Sequence, residues 1–414
     1  LGDPALDAHV RDALGANFSV RAAFARLDGA EAVVRRTRAA LAPSVSADVG
    51  GNLSSDGPLG GGRRAPFEVG LGISWEIDLW GRVRAQVDGE TARTAATRED
   101  ARAAALSLSA EVAEVWVGIA AAHEQLALLD AQIATNQSLI EVVEARVLHG
   151  LAGPADLHRQ ERLLEQTRAQ RIAADADLQV LHHQLPVLLG RPPQESVSPL
   201  PTALPPLPPL PDAGVPAELI RRRPDLRASE HALRAADADV AAAIADLFPS
   251  LTIGAGTSWS PPTAESLLAG WLASLGASVV APLFEGGARR AEVRRNRAVV
   301  EQRLAEYGDA ALRALQEVED ALVRDRQQDA LVQNVARRVA LAERAVESLG
   351  ARYQGGHDVG FLDVVTAQAA AQQLQREQID QRRRHLEQRI GLYRALAGGI
   401  DPADADLHTE EAPP

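Results

Sequence analysis

The 414-residue chain contains no cysteine, no methionine and no lysine. Without cysteine there can be no disulfide, no thiolate metal ligand and no thiol nucleophile, and the cellular compartment stays open. Without a single methionine the chain is not expected to be a complete translation product, any signal segment having been removed. All 43 basic residues are therefore arginine, and they are outweighed to a net charge of −13. That balance argues against nucleic-acid binding, which needs a basic surface to meet phosphates. Aromatic residues make up only 3% of the chain. No run of eighteen apolar residues occurs, so no membrane-spanning helix is expected.

What is abundant is alanine, with arginine, glutamate, glutamine and leucine, a composition suited to closely packed helices. Proline marks where helices are forbidden. It is absent from Pro66 to Pro154 and from Pro282 to Pro402. These gaps predict helices over about 82–149 and about 287–353, each on the order of 100 Å long at 1.5 Å per residue. Helices of that length need lateral support from other long helices.

Between the helices lie four stretches of strict alternation. "FEVGLGISWEIDLWG" is apolar at every odd position from Phe67 to Leu79 and small or acidic at the even ones. The same rule holds near 43–54, 250–259 and 271–284, and predicts strands with one apolar and one wet face. Each is about as long as a tilted membrane strand of about 9–11 residues. Trp75, Trp80, Trp259 and Trp271 fall within or at the ends of these strands, as interfacial aromatics do. In lipid an open sheet edge has no water to satisfy it, so the sheet must close. Four strands are too few, since membrane barrels need at least about eight. Several chains sharing one barrel is the expectation, the alternative being a half-exposed sheet covered by the chain's own helices. Asp48, Glu68, Glu76 and Asp78 then face an acidic lumen that favours cations, the alternative being that they only solvate the wet side of the sheet.

The order of elements repeats. Pro43 corresponds to Pro249, "LWGRVRA" to "LFEGGARRAEV" and "RVLHG" to "RYQGG". The organisation expected is a first repeat at 1–197, a proline-rich connector at 198–216, a second repeat at 217–400 and a disordered tail at 401–414. The turns joining the long helices to their return helices fall at about 150–156 and 354–362.

The stretch "LIRRRPDLRASEHALRAADADVAAAIADLFPSLTIG" at 219–254, with "RYQGGHDVGFLDVVTAQ" and "LYRALAGG", carries a specific resemblance. The chain resembles the outer-membrane channel subunits of tripartite resistance–nodulation–division (RND) efflux systems, the OprM/CusC/NodT group of the TolC superfamily, over nearly its whole length. The resemblance implies a mainly α-helical, TolC-like fold, with a long helical barrel and four strands per protomer closed into one barrel by trimerisation. It implies the outer membrane of a Gram-negative bacterium, a passive exit duct reaching through the periplasm, and docking to a periplasmic adaptor and an inner-membrane RND pump. Lipidation of a cysteine N-terminal to residue 1 is a further family expectation. In the family the two tips carry the adaptor contact and the closed constriction. By correspondence Asp363 is an inner-ring aspartate and Thr366 stands at the second ring's position. Tyr353 and Asp156 match a link that ties neighbouring hairpins shut, the alternative for Tyr353 being packing at a helix end. Gly150, Leu151 and Gly356 are candidate adaptor contacts, and the glycines also serve as helix C-caps.

No catalytic, cofactor or metal site is expected. His182 and His183 are adjacent and point apart, "HEQ" at 123 lacks the second histidine of a zinc motif, and the glycine-rich stretches lack a phosphate-loop lysine. Two alternatives remain at this stage, a type I secretion channel of similar architecture and a soluble periplasmic coiled-coil adaptor. The substrate is not legible in the sequence.

Overall fold

The computed structural model describes residues 2–51, 54–55, 63–64, 67–210, 221–259, 271–355 and 359–396. The first half runs α1 (Pro4–Ala16), α2 (Phe18–Ala39), β1 (Ser44–Gly51), β2 (Ser54–Ser55), β3 (Arg63–Arg64), β4 (Phe67–Ile77), α3 (Arg82–Leu148) and α4 (Pro154–Leu188). The second runs α5 (Pro224–Ala245), β5 (Ser250–Trp259), β6 (Trp271–Val280), α6 (Ala288–Gln354) and α7 (Phe361–Ala395). Helices α2, α3 and α4 have 22, 67 and 35 residues, and α5, α6 and α7 have the same three lengths. Residues 211–216 of the expected connector and the tail from 401 lie outside the described residues.

Two strands stop earlier than alternation alone suggests. β4 ends at Ile77 rather than near residue 80, because Asp78 turns to cap α3. β6 ends at Val280, two residues before Pro282, which has no N–H to continue a ladder.

The residues divide into two compact units. One, formed by Ala23–Ala101 and Asp225–Ala311, holds the four-stranded antiparallel sheet in the order β1-β4-β5-β6. The other, Leu1–Ala22, Arg102–Pro224 and Leu312–Pro414, is built from helices and the connector. Its core joins Val117, Ala120 and Ala121 of α3 to Leu386 and Ile390 of α7 and to Leu204 of the connector. α3 also carries an 18-residue window of mean hydropathy 1.4, but 56% of it is buried against the rest of the chain, so helix packing accounts for its apolarity.

Glycine is required at one helix end in this second unit. α4 closes with Gly190 at φ +71°, and the Arg191 N–H donates to Pro186 O at 2.8 Å, the pattern of a left-handed C-cap. A Cβ on Gly190 would stand 2.5 Å from Ala16 O. Gly190→Ala therefore combines a left-handed alanine with a backbone clash. It is expected to lower stability by about 1–3 kcal/mol in thermal unfolding.

The connector is held through its backbone. His9 Nε2 meets Pro199 O at 3.0 Å and His123 Nδ1 meets Pro201 O at 2.7 Å. Because a carbonyl only accepts, both ring nitrogens carry a proton there. The Arg389 guanidinium donates to Pro208 O, the Tyr393 hydroxyl to Pro209 O at 3.2 Å, and the Leu204 N–H to Glu124 Oε1 at 2.8 Å. Arg389 is also paired with Asp325 at 2.8 and 2.9 Å, both side chains buried.

Candidate functional site

The sheet registers put one face of all four strands in common. Val45 lies opposite Ile73, Ile73 opposite Ala255 and Ala255 opposite Leu275. Each cross-strand pair joins odd to odd, so the apolar alternation of the single strands becomes one continuous apolar surface. It is exposed: Val45 is 71% and Leu275 82% accessible, and Val49, Leu71, Ile73 and Val279 are exposed with them. Among the described residues β1 and β6 each pair on one side only.

The even face is nearly without bulk. Gly72 pairs with Gly256 and Gly254 with Gly276, flanked by Ser46, Ser74, Thr252, Ser274 and Ser278. Leu272 and Val280 are its apolar exceptions. Asp48 folds over its cross-strand partner Gly70, occupying the space where a Cβ would stand.

The four expected lumen acids do not behave alike. Glu76 is held by Arg82, whose Nη2 lies 2.8 Å from both carboxylate oxygens. Asp78 leaves the strand and caps α3, accepting from the Val83 and Arg84 amides at 2.9 and 3.0 Å and from Arg84 Nε at 3.0 Å. Each of these two carboxylates is thus paired with an arginine at the strand–helix junction. Burial pushes the Asp78 carboxyl up, but the Val83 and Arg84 amides and the Arg84 guanidinium outweigh it and hold the pKa below its ordinary value. Stability from this cap is thus complete above the unfolded carboxylate pKa and is lost as pH falls through the lower folded value. Asp78→Ala is expected to cost about 0.5–2 kcal/mol near neutrality. The deficit should shrink as unfolding is followed down to about pH 3. Glu68 is placed in β4 by its backbone, and its side chain lies outside the described residues.

Trp75 and Trp80 serve the same junction. The Trp75 indole N–H donates to Leu41 O at 3.0 Å, just before β1. The Trp80 N–H donates to Pro249 O at 2.8 Å, just before β5, and its ring stacks on Phe248 at 4.8 Å. Trp259 lies opposite Trp271 at the other end of the sheet. The Trp271 side chain lies outside the described residues. From Ile253, opposite Trp75, to Trp259 is about 20 Å of strand at 3.3 Å per residue. Two tryptophan levels thus bracket an apolar band that a barrel tilt of about 35–45° shortens from about 20 Å of strand to about 15 Å of height.

In the helical unit, the two return helices begin alike. α4 starts Gly153-Pro154-Ala155-Asp156 and α7 starts Gly360-Phe361-Leu362-Asp363. In each, the glycine N–H donates to the aspartate Oδ2 at 3.2 Å, which satisfies an N-terminal donor and places a negative charge at the helix's positive end. Asp156 also takes Arg159 at 2.7 Å, whereas Asp363 is exposed, beside Thr366, whose hydroxyl donates to Leu362 O. Gly150 ends α3 with φ +70° and leaves Leu151 exposed. Gly356 lies outside the described residues.

Among the described residues of one chain, Tyr353 does not bond Asp156. The Tyr353 ring packs against Phe361 at 5.5 Å, with the Arg146 guanidinium 4.3 Å above it, in a cluster with Val143, Leu163 and Val365. Its hydroxyl has no partner among the described residues. Packing at a helix end is what the tyrosine does here.

Residues 9–191 and 215–398 match the family model for the outer membrane efflux protein. The chain belongs to that family. Its match to the pyoverdine export outer membrane protein OpmQ of Pseudomonas aeruginosa is 30% identical and covers 96% of this chain and 86% of that protein. Outer membrane protein OprJ of the same species is 31% identical, with 94% and 83% covered. Among solved structures, a CusC crystal structure superimposes with a TM-score of 0.90 at 26% identity, covering 96% of this chain and 93% of the other. The open state of the Neisseria gonorrhoeae MtrE channel gives 0.87 at 27%, covering 96% and 89%. The efflux protein thus has the TolC-like fold and its place is the outer membrane, reaching into the periplasm. The family is one of transport ducts.

Sequence reasoning missed a buried polar layer in this efflux protein. Gln372 Nε2 donates to Asn136 Oδ1 at 2.9 Å, Asn136 Nδ2 to Thr167 at 3.1 Å and Gln160 Nε2 to Asn136 O at 3.3 Å, all buried. The signal was present: Asn136 falls seven residues from both Leu129 and Val143, and Gln372 seven from Val365, all buried. Polar residues at such core positions fix the register of packed helices.

Proposed function

We propose that three copies of this efflux protein close one barrel and form a passive exit duct, fed by a periplasmic adaptor and an inner-membrane RND pump. The observation that carries this reading is the apolar face continuous across a sheet open, among the described residues, at both edges. Such edges require partners in lipid, and three copies supply twelve strands, an even number within the range of membrane barrels. The even face of glycine, serine and threonine suits an unobstructed, weakly selective lumen. The relatives named for pyoverdine export, toluene efflux and cation efflux fit a duct that passes what it is given. Leu151 and the Gly150 cap, exposed at the first tip, are positions for adaptor contact, with Gly356 the candidate that the sequence offers in the second turn.

Native mass measurement in detergent, with single-channel recording in planar bilayers, tests the reading. Trimers that conduct support it, and monomers or silent bilayers remove it. Asp363 supplies one carboxylate per copy at the tip, and a ring of three binds multivalent cations. Block of the channel by a trivalent lanthanide is expected to weaken at least about tenfold in Asp363→Asn, the loss of about 1.4 kcal/mol of binding. Equal block in the variant places the constriction elsewhere.

A further inference from the structure

The duplication supplies a view of a contact that one chain cannot complete. In the first repeat, the segment after β4 ends in Leu79-Trp80, and Trp80 stacks on Phe248 and bonds Pro249 O, the residues that lead into the neighbouring strand β5. In the second repeat the segment after β6 ends in Leu283-Phe284. Aligning Leu71-Gly72 with Leu275-Gly276 sets Phe284 in the place of Trp80, and aligning Pro43 with Pro249 sets Ala42 in the place of Phe248. Among the described residues of one chain the neighbour that Phe284 needs is absent, because β6 is the last strand of the sheet. Leu283 and Phe284 are correspondingly 95% and 90% exposed, the two most accessible large apolar side chains among the described residues.

We propose that Leu283 and Phe284 dock on Leu41-Ala42-Pro43 of a second copy, directly below an antiparallel pairing of its β1 with β6. This rests on the trimer reading and names the contact that makes it. The occupant follows from the repeat: the segment before β1 is the counterpart of the segment before β5. The contact also continues the open strand edges. Because the β1–β4, β4–β5 and β5–β6 ladders all pair odd with odd, a β6–β1 ladder of the same parity leaves the apolar face unbroken around the barrel. Phenylalanine differs from Trp80 in having no N–H to donate to the Pro43 carbonyl, so the joint between copies is purely apolar where the joint within a chain is also hydrogen-bonded.

The absence of cysteine from residues 1–414 makes the test clean. The full chain carrying Phe284→Cys and Ala42→Cys is purified in detergent and treated with oxidant or a short thiol–thiol cross-linker, then run on a denaturing gel. Covalent dimers and trimers are expected from the double variant and none from either single variant. A mixture of the two single variants, co-expressed, should give dimers only. If native sizing reports trimers and no covalent species forms, the contact is wrong while the trimer stands, and Phe284 then faces lipid. If sizing reports monomers, the trimer reading falls and this contact with it. Phe284→Ser, which keeps the fold because the side chain touches little of its own chain, should lower the temperature at which the oligomer dissociates by several degrees. An unchanged dissociation temperature also overturns the proposal.

Discussion

Replacing Arg389 by alanine is expected to destabilise the protein by about 3–5 kcal/mol, the largest single effect in the helical unit. The reason is what the substitution leaves behind. Asp325 is buried and its two oxygens are held by Arg389 at 2.8 and 2.9 Å. His385 comes next, with Nε2 3.6 Å from Asp325, beyond a good hydrogen bond. Burial and the Arg389 guanidinium lower the His385 pKa despite the neighbouring Asp325. Removing the arginine therefore strands a carboxylate without water or partner, and frees the Pro208 carbonyl as well. Arg389→Ala/Asp325→Ala should recover a large part of the loss, because a missing pair costs far less than half of one. Thermal unfolding of the four proteins of the cycle in one detergent measures the coupling. Additive losses would mean that the pair is held open to solvent.

The second large effect separates the two faces of the sheet. Ile73 and Ser74 are neighbours on β4, yet only Ile73 belongs to the continuous apolar surface. Ile73→Arg is expected to cost about 2–4 kcal/mol per copy in the membrane, the price of an arginine facing lipid near mid-depth. In a closed trimer that penalty is met three times, so the variant should fail to accumulate as a heat-resistant oligomer. Ser74→Arg should assemble normally and lower cation conductance, because its charge enters the lumen. The reverse pattern would mean that the faces are exchanged.

How much of this was legible depends on the range of the interaction. Alternation in "FEVGLGISW" fixes which side chains share a face, because a strand's period is local, and the structure keeps it across all four strands. The helix end marked by Gly150 is likewise local chemistry. Asp78 looked like one more even-numbered acid of a strand. Its use as a cap depends on the first amides of α3, which alternation does not register. Tyr353 was drawn towards Asp156 by family correspondence, and in this chain Phe361 and Arg146 occupy its ring instead. Asn136 and Gln372 lie 236 residues apart in sequence, and nothing local says that two polar side chains at core positions will face each other.

The connector's manner of attachment has an evolutionary corollary. Four of its carbonyls and one of its amides carry the bonds to His9, His123, Arg389, Tyr393 and Glu124. Every residue type offers a carbonyl, so connector side chains that stay in solvent are at liberty to drift among descendants of this chain. The helix residues that grip those carbonyls have no such liberty, and lineages should diverge in the strap long before they diverge in its buckles.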